Sequence, residues 1–357
     1  MKRFFVIISL LSALQLTAMG QTELTAYVPG VTTEGAIYFL PKTNIRVSVL
    51  IEKRTFKPGT FSKYAMRFLR LNNVEQQPTT SYRVLSVKQE PYPVADPEKS
   101  FSVRFNAKSV AANVALSDDG CLLAINARPN TPQEPAVFTP APKPHSLNPH
   151  DFMSEEILSA GSTAKMAELT AREIYDLREN RNMLIKGQAD FMPGDGAQMQ
   201  MMLNQLEAQD RALTSLFTGT TECDTTEAVF NVNPEGTMKH QVLFRMSKIF
   251  GAVDADDLSG EPYYIDVEDL NILPVSVEQK ESGRKRPESG IFVNVPGRMR
   301  STIYKDGDQL TVMEMPAPQF GNVELLSGEL FNKRYTTHLW LNRLTGAVEK
   351  LEAEQPK

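Results

Sequence analysis

Four methionines fall inside KGQADFMPGDGAQMQMML, Lys186 to Leu203: Met192, Met199, Met201 and Met202. Thioether sulfur is a soft ligand, and converging methionines can hold copper. Helical spacing puts Met199 and Met202 on one stripe with Leu203 and Leu206. Met192 falls in the Pro-Gly-Asp-Gly turn and Met201 points off the stripe. Adaptable core filling explains that pattern better than a metal site. The four histidines, His145, His150, His240 and His338, are scattered. The chain has no His-Glu-x-x-His pair, no Gly-x-Ser-x-Gly elbow, no Walker loop and no dinucleotide glycine fingerprint. DADDLSGEP, Asp254 to Pro262, offers oxygen ligands, but Leu258 and Ser259 stand where an EF-hand needs an oxygen and a glycine. It reads as an acidic loop, with a calcium site of another kind left open. Paired carboxylates for hydrolysis cannot be read from spacing, because their separation belongs to the fold. No catalytic, cofactor-binding or metal-ligating set is assigned.

Cys121 and Cys223 are the two cysteines. Bridged, they would close a loop of about 100 residues, worth up to roughly 4.7 kcal/mol. Cys121 also alternates with Leu123 and Ile125 in CLLAIN, which fits a core thiol equally well. Arg178 and Arg181 sit beside an apolar helical stripe. With Phe191 and Met192 of the turn they form the candidate interaction surface. GRKRPESG, 283–290, is a basic loop that reads as a solvated turn.

The elements that must carry these residues follow from periodicity. IRVSVLI, YRVLSV, FSVRF and CLLAIN alternate apolar and polar residues, as half-buried strands do. KYAMRFLRL suggests a short helix between them. Pro129 to Pro149 holds seven prolines in 21 residues, a composition that favours an extended spacer. Two helical patterns come next. Thr163 to Lys186 ends at Gly187, and a second helix starts at Asp195, with Gln198 completing a capping-box-like pair. Their stripes make an αα-hairpin with its tip at the Pro-Gly-Asp-Gly turn. FNVN, HQVLFRM, YYIDV, GIFVNV, STIY, QLTV, THLWL and GAVEKL then return to β. The expected fold is α+β: two β-rich antiparallel regions with a long helical hairpin inserted between them. The expected divisions are a leader at 1–20, a β-rich region at 21–128, a linker at 129–150, the hairpin at 151–218 and a second β-rich region at 219–357.

The leader is MKRFFVIISLLSALQLTAMGQ. Lys2 and Arg3 precede a short apolar run, and Ala18 and Gly20 suit cleavage before Gln21. No later stretch has the roughly 20 apolar residues of a membrane helix. The net charge is −5; removing Lys2 and Arg3 makes it −7. That charge argues against nucleic acid and against anionic lipid as partners.

YFLPKTNIRVSV, AELTAREIYDLRENRNMLIKGQADFMPGDG, LTSLFTGTT and APQFGNVELL together resemble the secreted family called domain of unknown function 4831, of Bacteroides-type bacteria. The resemblance runs from about Tyr38 to Val348. It implies a Gram-negative envelope, in the periplasm or on the outer-membrane surface. It carries no activity and no catalytic residue across. The leading expectation is a non-enzymatic, cofactor-free envelope protein that binds or scaffolds another envelope protein. One rival is a glycan-binding module using Trp340, Tyr263 and Tyr264. The other is a hydrolase whose carboxylates are gathered by the fold.

Overall fold

The computed structural model describes residues 23–26, 36–104, 113–130, 137–143, 147–273, 290–331 and 335–355. The leader, most of the basic loop at 283–290, and His145 lie outside the described residues.

Thirteen strands are described: β1 (Glu23–Ala26), β2 (Ala36–Lys57), β3 (Thr79–Arg104), β4 (Val114–Leu116), β5 (Leu122–Ile125), β6 (Thr220–Val232), β7 (Met238–Ser247), β8 (Gly251–Val253), β9 (Glu261–Asp269), β10 (Gly290–Lys305), β11 (Asp308–Ser327), β12 (Thr336–Leu341) and β13 (Val348–Glu354). Four α-helices accompany them: α1 (Ala65–Leu69), α2 (Glu155–Leu158), α3 (Thr163–Lys186) and α4 (Gly196–Thr218). The strands form three antiparallel sheets, ordered β1-β3-β2-β6, β11-β10-β9-β7-β8 and β13-β12-β5-β4.

This corrects the expected α+β fold. Among the described residues the protein is mostly β, 49% strand against 23% helix. The β structure is also not split into two regions by the hairpin. β6, which follows the hairpin, pairs with β2 from Ile45↔Val232 to Lys57↔Thr220. β5 pairs with β12. Alternation shows that a segment is a strand, but it does not show which strand lies beside it. Strand content was also hidden by prolines. β3 runs through PYPVADPEKS, with Pro91 facing Ile45 and Pro93 facing Thr43. Its other neighbour, β1, reaches only residues 101–104. Over most of its length β3 is therefore an edge strand, where a missing N–H costs no ladder bond. Pro316 and Pro318 lie on β11, the edge of the second sheet, for the same reason.

Alternation decides what each sheet buries. Ile45, Val47, Val49 and Ile51 of β2 pack against Phe244, Ile265, Val267, Met299, Ile303 and Met315 of the second sheet. Tyr38 and Leu40, on the same strand, enter another core with Leu122, Ile125, Ile291 and Leu339. The buried positions change from even to odd numbers across the register shift between Phe39 and Pro41, so one strand serves two cores. Buried polar groups close the junction. The Asn294 Nδ2 donates to the carbonyls of Pro41 (3.0 Å) and Thr345 (2.9 Å). Gln319 pairs with both the N–H and the C=O of Thr43 (3.1 and 2.8 Å). The third core is helical, with Phe61, Ile157, Ala167, Ile174, Leu213 and Phe217 at its centre.

Two buried titratable groups are held in their neutral forms. The fully buried Tyr38 hydroxyl accepts from the Phe292 N–H at 2.8 Å and donates to the Phe292 C=O at 3.3 Å. Burial raises its pKa well above the ordinary 10.0. Burial also pushes the Cys121 thiol from 9.0 up to about 11. Between their unfolded and folded pKa values these groups bind more protons in the native state. Their contribution is full below the unfolded values and is lost as pH rises. The urea midpoint should therefore hold up to about pH 9 and fall above it. Tyr38→Phe should be less stable at neutral pH and show a shallower alkaline decline. Equal alkaline slopes for the two proteins would contradict this role.

Candidate functional site

The hairpin was the sequence's strongest candidate, and local chemistry builds it. Ser162 Oγ accepts from Lys165 N at the start of α3 (3.3 Å). Gly187, at φ 69°, ends it, with Gln188 N reaching Met183 O at 2.9 Å. Asp195 Oδ1 accepts from Gln198 N (2.7 Å), and Gln198 Oε1 accepts in return from Gly194 N (3.3 Å). These caps satisfy groups that helix ends otherwise leave open.

The hairpin has two unlike halves. Near the sheets, Ala167, Ala171, Ile174 and Leu177 bury against Leu213, Leu216 and Phe217. Beyond Leu177 only Leu184 is buried on α3, and no residue of α4 before Ala212 is buried. At the far end Phe191 is 72% exposed, Met201 71%, Ile185 58% and Met192 41%. The methionines divide: Met199 and Met202 are half-buried, while Met192 and Met201 face solvent. Arg178 is not a free contact group. Its guanidinium forks onto Asp210 of α4 through Nε (3.2 and 3.1 Å) and Nη2 (3.0 Å), and reaches Thr214 Oγ1 at 3.2 Å. A bidentate pair of this kind ties the two helices together. Arg181 is exposed.

The other sequence candidates fall apart spatially. Cys121 is 4% exposed, at a parallel bridge with Phe39. Cys223 is exposed on β6 opposite Arg54. Both are free, and of the two readings Cys121 takes that of the buried thiol. The acidic loop is tied to β7 by a side chain. Arg245 donates to Ala255 O (2.6 Å) and Gly260 O (3.2 Å). Lys143, from the proline-rich segment, pairs with Asp224 of β6.

Among the described residues neither rival reading gathers a site. Stacking on sugar needs an open aromatic face. Tyr263 is 7% exposed in the main core, Tyr264 has His240 stacked on it at 4.0 Å, and Trp340 has the Lys350 ammonium 4.9 Å from its ring centre. A general acid at neutral pH needs a raised carboxyl pKa. Glu52, Glu168, Glu261 and Glu314 are all lowered, chiefly by hydrogen bonds from Arg83, Lys165, Lys305 and Arg300. The amide of Ser259 lowers Asp257. Two surface depressions, beside Arg54 and Glu75 and beside Ser62 and Asn73, contain one carboxylate between them.

One cluster has no sequence signature as an assembly, although Tyr264 and His240 are each noted singly in the sequence. On the outer face of the second sheet, Tyr264 of β9 and Tyr304 of β10 are directly paired. Their rings stack at 5.6 Å, and His240 of β7 stacks on Tyr264 with 15° between planes. His240 has φ 55° at a register break in β7. Its N–H donates to Asp266 Oδ1 at 2.6 Å. Its Nδ1 lies 2.9 Å from the Tyr304 hydroxyl, which donates to the same Asp266 oxygen at 3.1 Å. Desolvation, then Asp266, raises the Tyr304 pKa, so the phenol keeps its proton. His240, the Tyr264–Asp266 pair and Tyr304 stand far apart in the chain, and no local motif joins them.

A family model described as Domain of unknown function (DUF4831) matches residues 34–349. No curated protein and no solved structure matches the chain. Among the described residues no helix is long and apolar enough to cross a membrane. With the family model covering more than half of its length, the chain belongs to the family described as domain of unknown function DUF4831.

Proposed function

We propose that the protein is an exported component of a bacterial envelope that binds another protein through the distal end of the α3–α4 hairpin, without catalysis of its own. The carrying observation is the exposed group Ile185, Phe191, Met192 and Met201 at the end of a capped, pinned hairpin. Exposed apolar side chains held on a rigid arm are what a protein contact uses as anchors. The leader at 1–20 supports export, and the acidic net charge of −5 disfavours nucleic acid. On this reading 151–218 is the contact arm and the sheets are its base.

The test is recovery of the tagged protein from gently solubilised envelopes, comparing wild type with Phe191→Ala and Met201→Ala. Truncating an exposed side chain should change stability by no more than about 0.5 kcal/mol. Removing an interface anchor costs about 2 kcal/mol or more, so a companion should be held roughly thirtyfold more weakly. Equal recovery of the same companion by wild type and both variants would remove the tip from the contact.

A further inference from the structure

We propose that His240 Nδ1, Tyr304 Oη and Asp266 Oδ1 form a binding site for a divalent first-row transition-metal ion on the outer face of the second sheet. The three atoms come from three adjacent strands, β7, β10 and β9. Their consecutive separations are 2.9 and 3.1 Å. Ligands about 2.1 Å from an ion and at right angles to one another lie about 3 Å apart. The spacing therefore suits neighbouring vertices of one coordination sphere. Imidazole with carboxylate is a donor set for copper, zinc, iron or nickel rather than for a hard cation alone.

The placement is held from several sides. His240 has a left-handed backbone, φ 55°, which is unfavourable for a non-glycine residue. Such strain persists where the surroundings over-determine it. Here the amide of His240 is fixed on Asp266 and its ring on Tyr264. Tyr264 is not a ligand; it sets the plane of the imidazole.

Without metal, Tyr304 donates to Asp266, which leaves its oxygen to accept from His240 in the Nδ1–H tautomer. Metal binding moves the imidazole proton from Nδ1 to Nε2 by exchange with water, which frees the Nδ1 lone pair. The phenol proton passes to water when Tyr304 binds as phenolate. One proton is released per ion, and no redox step occurs.

Cu(II) is the probe, because it leads the affinity order of the divalent first-row ions. The purified chain is titrated with Cu(II) supplied as its glycine complex, following visible absorption and electron paramagnetic resonance. The expected result is one equivalent bound, with a phenolate-to-copper charge-transfer band and nitrogen coupling. Tyr304→Phe should abolish the band and weaken binding at least about tenfold. His240→Asn, which keeps a residue tolerant of the left-handed backbone, should remove the nitrogen coupling and weaken binding similarly. Failure of the wild type to take copper from glycine would overturn the site. So would an unchanged spectrum and affinity in Tyr304→Phe, which would mean adventitious copper on scattered histidines only.

Discussion

Phe217→Ala will cost the fold about 3–5 kcal/mol, a large share of the stability of a typical domain. Phe217 is fully buried in the last turn of α4. Its ring meets Phe61 at 5.4 Å and 57°, an offset geometry that adds to the area buried. The surrounding backbone cannot close on the gap. Phe61 N donates to Leu216 O at 2.7 Å, and the next strand, β6, is held to β2 over its whole length. A cavity there stays open, and its cost adds to the lost transfer energy. Chemical unfolding of Phe217→Ala, Phe61→Ala and the double variant measures this. The two losses should be non-additive, because the second truncation removes a neighbour already lost. A loss below about 1 kcal/mol for Phe217→Ala would mean that the helices do not pack on the base as described.

What the sequence revealed was local. The Asp195–Gln198 cap, the stop at Gly187 and the split between Met199 and Met201 each depend on a few consecutive residues. So does the alternation of Ile45, Val47, Val49 and Ile51 that faces the main core. What stayed hidden depends on which segments meet. β3 joins YRVLSV and FSVRF into one strand through Pro91 and Pro93, and only the sheet order shows that those positions lie on an edge. The partnership of β6 with β2 skips the linker and the hairpin, so the hairpin looked like a divider. Arg178 looked like part of a contact surface because the pairing register of two helices decides whether Asp210 comes opposite it. His240, Asp266 and Tyr304 carried no signal as a set, since register alone assembles them.

Gly219→Ala is the second large loss, and it tests how the arm joins its base. Gly219 has φ 82° and ψ −180°, a region open essentially to glycine alone. It ends α4 by donating to Ser215 O at 2.8 Å, and β6 starts at the next residue. A Cβ there would lie 2.5 Å from Lys57 O and 2.7 Å from the Phe56 ring. Lys57 belongs to β2 and is already paired to Thr220, so its carbonyl cannot retreat without opening the ladder. Backbone strain and clash together should cost about 3 kcal/mol or more. Gly187→Ala is the matched control. It too sits at positive φ, 69°, but nothing lies within 4 Å of its added Cβ. That change should cost only about 1 kcal/mol, confined to the outer end of α3. If both variants lose the same stability by chemical unfolding, the close approach of α4 to β2 is not a determinant of the fold. If Gly219→Ala alone is severe, the exit angle of α4 is fixed by one residue without a side chain, and the hairpin's direction from the sheets is fixed with it.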